Sequence, residues 1–247
     1  MSTVRICLWS GPRNISTALM YSFAQRDDST VFDEPLYAHY LSNIPIEHKD
    51  RHPEADSVLS TMENDGDKVV EMMMGEFVQE ELVQKKKVVF FKNMTHHLLG
   101  LNRDFMDDVI NVVLTRDPVD MLPSFAQVIN EPSIEDVGYA AHIELVEYLK
   151  ARGKKPIVLD SRRILENPEG ELRRLCEAAG ISFDSSMLGW EAGARKEDGV
   201  WAKFWYTGTH KSTGFQKYCP KEASFPEKLK PLLEKCKPYY AKLLELA

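Results

Sequence analysis

Three stretches of this sequence carry residues that bind anions or move protons. In "LWSGPRNIST" (8–17) an apolar run ends in Gly11, Pro12 and Arg13, and Asn14, Ile15, Ser16 and Thr17 lead into a helical pattern. Such a turn delivers a helix start, whose unpaired N–H groups and positive dipole end attract phosphate-like groups. Arg13 adds a full charge, and Ser16 and Thr17 add hydroxyl donors. The competing reading is a tight strand-to-helix turn with an exposed arginine. In "VINVVLTRDPVDMLPSFAQV" (109–128) a buried strand ends at Arg116, Asp117 is placed to cap the next helix, and Pro118 suits its first turn. Ser124 follows some two turns into that helix, and Pro123 is expected to kink it there. An arginine at a strand's carboxyl edge lies where open α/β sheets bind ligands, and a guanidinium forks onto phosphate.

The third group serves acid–base chemistry. "FDEP" (32–35) brings Glu34 to the end of one strand, and "FKNMTHH" (91–97) brings Lys92, His96 and His97 to the end of another. Histidine titrates near neutrality, whereas a carboxylate is a weak base unless its pKa is raised. Glu34 is the first choice as general base, because it follows a short strand directly; His96 is the second and His97 the third. Metal binding by the two histidines is not expected, because no nearby Cys or His completes a ligand set. "WAKFWY" (201–206) concentrates four aromatics, either lining a binding pocket or packing against the core.

The elements that must position these residues are legible as five short apolar runs: 4–9, 30–34, 87–92, 109–115 and 155–160. Most are near-continuous rather than alternating, as in a parallel sheet covered on both faces. Helical patterns lie between them, over about 16–25, 68–84, 133–150 and 167–180. Ser133 opens the third with a capping box, Asn167 and Pro168 open the fourth and Gly180 closes it. The expectation is one α/β domain over residues 1–247, a doubly wound, mostly parallel sheet flanked by helices, with a modified P-loop. Two segments fit no element, 42–67 and 184–226, and both are candidates for a lid.

Composition excludes some functions. The chain has 247 residues, 43% hydrophobic and 28% charged, with a formal net charge of -7. That balance speaks against wholesale binding to nucleic acid or an anionic membrane, and leaves room for a local basic pocket. No apolar run approaches the ~20 residues of a membrane helix. Cys7, Cys176, Cys219 and Cys236 are scattered, which fits a reducing compartment and a cytoplasmic protein. The first loop is not a Walker A motif, which requires GxxxxGK[ST]; Gly11 is followed by Arg13, and the lysine and the magnesium-holding arrangement are missing. A small-molecule kinase is correspondingly disfavoured.

Taken together, "PRNIST" (12–17) and "RDPVDMLPS" (116–124) resemble the two nucleotide-binding motifs of the sulfotransferase superfamily. The first matches in part, and the second matches the register of Arg-x-Pro with a later Ser in full. "VLDSRRILENPEGELRRLCEAAGISFD" (158–184) is similar to that family's late strand-then-helix segment. The resemblance implies 3′-phosphoadenosine 5′-phosphosulfate as sulfuryl donor, adenosine 3′,5′-bisphosphate as product, no metal, and a small-molecule hydroxyl or amine as acceptor. It implies that the Gly11–Thr17 loop holds the 5′-phosphosulfate through Arg13, Asn14, Ser16 and Thr17. Arg116 and Ser124 would hold the 3′-phosphate, joined by Lys211, Ser212, Thr213 and Gly214 of "HKSTGFQK" (210–217). Arg13 and Lys92 would oppose charge on the leaving group. Two positions depart from the family. Asn14 and Ile15 stand where it usually has Ser and Gly, and Ile adopts positive φ only at a cost, so the loop is expected to avoid that conformation. Ala18 stands where some members stack a Trp on adenine, leaving Phe215 or Trp205 for that role. A non-catalytic member of the same fold is the alternative function.

Overall fold

The apolar runs become five strands because each can bury both faces. In the computed structural model, which describes residues 3–49, 51–76, 87–220 and 224–247, they are β1 (Val4–Ser10), β2 (Ser29–Asp33), β3 (Val88–Met94), β4 (Ile110–Thr115) and β5 (Ile157–Asp160). All pair in parallel, in the order β2-β3-β1-β4-β5. Alternate residues of β1 point to opposite layers. Cys7 and Trp9 join one core cluster, and Ile6 and Leu8 join the other. The helices relevant to the site are α1 (Ser16–Ala24), α2 (Tyr37–Asn43), α3 (Pro118–Phe125), α4 (Tyr139–Ala151), α5 (Ser161–Glu166), α6 (Pro168–Ala178) and α7 (Lys230–Leu244). Residues of α1 and α6 pack in the cluster of Ile6 and Leu8, and residues of α3, α4 and α7 in that of Cys7 and Trp9.

Several boundaries differ from the sequence reading. Strand β3 keeps its ladder with β1 as far as the Ser10–Met94 pair. Lys92 therefore lies inside a strand rather than at its end, and His96 and His97 fall in a 3-10 turn, Thr95–Leu98. The helix expected from Ser133 breaks at Gly138, whose φ of 76° suits glycine. A short Ile134–Val137 turn with the expected capping box is followed by α4. Pro123 lies inside α3, two residues before its last residue, Phe125. The helix expected over 68–84 appears as Gly66–Glu71 continued by a π turn, Met72–Glu76. Its remainder, 77–84, lies outside the described residues.

Segments 42–67 and 184–226 hold short helices, Ala55–Thr61 and Ala202–Trp205 among them. A third cluster joins them to α2: Tyr37, Leu41, Val58, Trp201 and Tyr206 are buried together. This cluster roofs the carboxyl edge of the sheet beside β2 and β3. Among the described residues no helix is long and apolar enough to cross a membrane.

Candidate active site

At the carboxyl edge β1 is flanked by β3 and β4, and chain progression reverses there, as at the ligand crevice of open α/β sheets. A cleft of about 370 Å³ opens at this place. One end holds the open start of α1. The first backbone bond of α1 runs from Leu19 N–H to Ile15 O at 3.2 Å, and no side chain caps the helix. Ser16, Thr17 and Ala18 line the cleft. Arg13 and Ile15 both have left-handed backbones, φ 61° and 63°. The expectation that Ile15 avoids positive φ is thus wrong. The loop is fixed from below, so the backbone conformation is imposed on whatever residue stands there. Asn14 Nδ2 donates to Leu114 O at 3.0 Å, Ser161 Oγ lies 2.8 Å from Asn14 O, and Arg116 donates to Arg13 O at 2.7 Å. Gly11 lies behind the loop, where a Cβ would stand 3.0 Å from both Asn14 Nδ2 and Val137 O.

The arginines are held differently. Arg13 donates to Ser124 Oγ at 3.1 Å and to Trp205 O at 2.6 Å, bridging α3 to the roof. Burial, followed by the nearby Arg116, pulls its pKa down. Arg116 is half-buried and lines the cleft, and the hydroxyl of Tyr139 donates to its carbonyl at 2.6 Å.

The floor is a buried charge cluster. Lys92, fully buried, donates to Asp33 Oδ1 at 2.8 Å, Glu34 Oε1 at 2.5 Å and Tyr206 OH at 2.6 Å. Tyr206 OH also receives Trp201 Nε1–H at 3.0 Å and lies 2.9 Å from both Asp33 oxygens. Gly199 N–H donates to Asp33 Oδ2 at 3.0 Å. Glu34 sits just past β2 at φ 48°, pinned by its N–H to Lys92 O and by Tyr37 N–H to its own carbonyl. Its carboxyl is pushed up, first by burial and then by Asp33, against the pull of Lys92.

The far end is aromatic. Tyr37 stacks on His97 at 5.0 Å and 7°, and Tyr40 meets His97 and His96. Burial lowers His96 to about 3 and His52 to about 4, so both rings are neutral at pH 7. The ion pair Arg51–Asp136, 2.9 Å long, closes this end.

The structure thus brings Pro12 to Thr17, Glu34, Lys92, His96, Arg116, Ser212 and Gly214 onto one cleft. Gly11 supports the loop from behind. Ser124 faces Arg13. Lys211 is exposed, and Thr213 uses its carbonyl on Trp190 N–H, so neither lines the cavity. Ser212 is buried between Trp190 Nε1 and Thr209 O. Phe215 and Trp205 both line the cleft. Sequence reasoning missed Asp33 and the hydroxyl of Tyr206. Asp33 adjoins Glu34 in "FDEP" and Tyr206 closes "WAKFWY", but nothing local says that they meet. The described residues contain no group of three or more His, Cys, Asp or Glu that could hold a metal.

The family profile described as "Sulfotransferase domain" matches residues 4–245. The chain belongs to the sulfotransferase domain family. Two solved sulfotransferases share the fold at 13% identity. The sulfotransferase domain from the curacin biosynthetic pathway superposes with a TM-score of 0.54, covering 96% of this chain and 98% of its own. A sulfotransferase from Alicyclobacillus acidocaldarius gives 0.53, covering 100% and 96%. Two curated relatives from Arabidopsis thaliana, branched-chain-amino-acid aminotransferase-like proteins 2 and 1, are 41% and 39% identical over 234 residues. The match covers 94% of this chain and 40% of each relative, so the chain spans about two-fifths of their length.

Proposed function

We propose that this sulfotransferase-domain chain moves a sulfuryl group from 3′-phosphoadenosine 5′-phosphosulfate to the hydroxyl or amine of a small-molecule acceptor. The observation that carries this reading is one cleft with an uncapped helix start and two arginines at one end and a buried carboxylate on its floor. The residues fit the donor: the free amides of Ser16 to Ala18 and the charge of Arg116 suit its anionic groups, and Phe215 or Trp205 offers a ring for adenine. When bound, the donor supplies an electrophilic sulfur and a bisphosphate leaving group.

The chain's residues then divide the work. The start of α1 and Arg13 oppose negative charge on the bridging oxygen as the S–O bond breaks. Arg116 holds the 3′-phosphate, with Ser212 and Gly214 closing over it; Ser124, which accepts from Arg13, and Lys211 and Thr213 reach it only if they shift. Glu34 Oε2 takes the acceptor's proton as the acceptor oxygen or nitrogen bonds to sulfur. Glu34 fits the role of base better than His96, because an imidazole held near 3 draws a proton weakly. Lys92 holds Glu34 in place. The acceptor lies against Tyr37, Tyr40 and Trp201. The acidic balance disfavours large polyanionic glycans. Four free cysteines support a cytoplasmic setting. The aminotransferase-like names belong to much longer proteins, and no aminotransferase chemistry is carried over.

Calorimetry tests the reading, with adenosine 3′,5′-bisphosphate against ADP and ATP-magnesium on wild type and Arg116→Ala, followed by an acceptor screen with labelled donor. Metal-independent binding of the bisphosphate that collapses in the variant, with label transferred to an acceptor, is expected. Binding without transfer to any acceptor favours the non-catalytic alternative. Equal binding of ADP or ATP-magnesium overturns the donor assignment.

A further inference from the structure

The floor of the cleft contains a hydroxyl whose hydrogen-bond roles are fixed by its neighbours. Lys92 and Trp201 can only donate to Tyr206 OH, so its own hydrogen goes to a carboxylate. Asp33 lies 2.9 Å away through both oxygens, whereas Glu34 Oε1 lies at 3.4 Å. Both oxygens of Asp33 are thereby engaged, by Lys92, Tyr206 and Gly199 N–H. Lys92 is saturated, its three hydrogens going to three different oxygens. The one carboxylate oxygen of the cluster left over is Glu34 Oε2, with His97 Nε2 at 4.0 Å.

We infer that Tyr206 is a positioning residue which, by holding Lys92 between Asp33 and Glu34, keeps Glu34 Oε2 free and sets its affinity for a proton. The proposal rests on the reading of Glu34 as base. The groups facing Glu34 are Asp33 from β2, Lys92 from β3, His97 from the turn after β3, Tyr37 from α2 and Tyr206 from the roof. Of these Asp33 and Lys92 form an ion pair of 2.8 Å. Burial holds His97 neutral and the two phenols protonated. The proton affinity of Glu34 therefore depends on how Lys92 divides itself between two carboxylates. Tyr206 is an uncharged third partner that steadies the division. It also ties the roof to the floor, since Tyr206 and Trp201 pack in the cluster with Tyr37 and Val58.

The test follows the Glu34 carboxyl carbon by NMR titration in 13C-glutamate-labelled protein, with Glu34→Gln to assign the signal. In Tyr206→Phe the ring stays and the hydroxyl goes. Asp33 loses a donor and draws Lys92 toward itself, so the Glu34 midpoint rises by about one pH unit, a tenfold change in the proton equilibrium. In Asp33→Asn a repelling charge is lost and Lys92 turns to Glu34, so the midpoint falls. Opposite shifts support the proposal. An unchanged midpoint in Tyr206→Phe, or shifts of the same sign in both variants, overturns it. Bisphosphate calorimetry on each variant reports whether the fold and the anion end persist, and if Tyr206→Phe fails to fold, an unchanged or raised midpoint in Asp33→Asn overturns the proposal alone. The readout is independent of turnover. Opposite midpoint shifts with no sulfuryl transfer to any acceptor would leave the positioning role standing and sink the catalytic reading. Transfer with an unmoved midpoint would do the reverse.

Discussion

The two working ends of the cleft are built by different means. The anion end is local: the end of a strand, the loop that follows it and a helix start, Gly11 through Thr17, contiguous in the chain. Its loop amides are joined by the side chains of Arg13 and Arg116, and Asn14 and Ile15 take the backbone conformation that the loop's tethers impose. The floor is assembled from afar. Asp33 ends β2 and Glu34 follows it, Lys92 lies within β3, and Tyr206 arrives more than a hundred residues later. Its function depends on side-chain identity, because every hydrogen of Lys92 is used and only Glu34 Oε2 is left without a donor. A backbone-built site tolerates substitution, and a side-chain network tolerates little.

That contrast is broken most sharply by Glu34→Gln. The variant keeps shape and removes the proton acceptor, so turnover should fall by about 10²–10⁴-fold. Bisphosphate affinity should stay within about twofold of wild type, because no donor of the anion end touches Glu34. Single-turnover kinetics and calorimetry on the same sample separate the two; loss of binding would show that the ends are not independent. Arg116→Ala is the reciprocal change. Losing a charge-assisted contact should weaken the bisphosphate by about 10–100-fold, or about 1.5–3 kcal/mol. If affinity holds, Arg116 serves only to support the Arg13 carbonyl.

The same contrast explains what the sequence discloses. The strands were visible because near-continuous apolar runs such as "VVFF" have few alternatives to a buried parallel strand. The anion loop was visible because its parts are neighbours in the chain. Glu34 and Lys92 were visible singly, as polar residues at strand ends. Their union with Asp33 and Tyr206 was not, since it depends on β2 pairing with β3 and on the roof folding back, both long-range events. Ile15 shows the limit from the other side. Propensity argued against positive φ, and the tethers from Leu114, Ser161 and Arg116 overrode it.

Behind the Gly11 turn lies His142, fully buried on α4, with a pKa lowered to about 4 by burial. The unfolded value is about 6.5, so the unfolded chain binds more protons between pH 4 and 6.5. Stability is full above 6.5 and falls with pH through that window. His142 alone should remove about 2 kcal/mol by pH 5. Urea titrations at pH 7 and 5 should show a smaller fall in His142→Gln by that amount. An equal fall in both proteins would mean that His142 stays neutral or titrates equally in the two states. This effect acts on the shared scaffold, so it should weaken both ends together.

The smallest expected effect is also the most direct probe of backbone against side chain. Ile15 at φ 63° carries a cost of roughly 1–2 kcal/mol that glycine escapes. Alanine does not escape it, and both substitutions delete the same half-buried apolar side chain, less one methyl. In a helix interior, glycine is less stable than alanine by roughly 0.5–1 kcal/mol. Here the order should invert, with Ile15→Gly more stable than Ile15→Ala by up to about 1 kcal/mol in urea unfolding. Bisphosphate affinity should be closer to wild type in the glycine variant, since the loop keeps its conformation without strain. Alanine more stable than glycine would show that the loop relaxes out of the left-handed region once Ile15 is gone. The anion end would then depend on side-chain packing as much as the floor does.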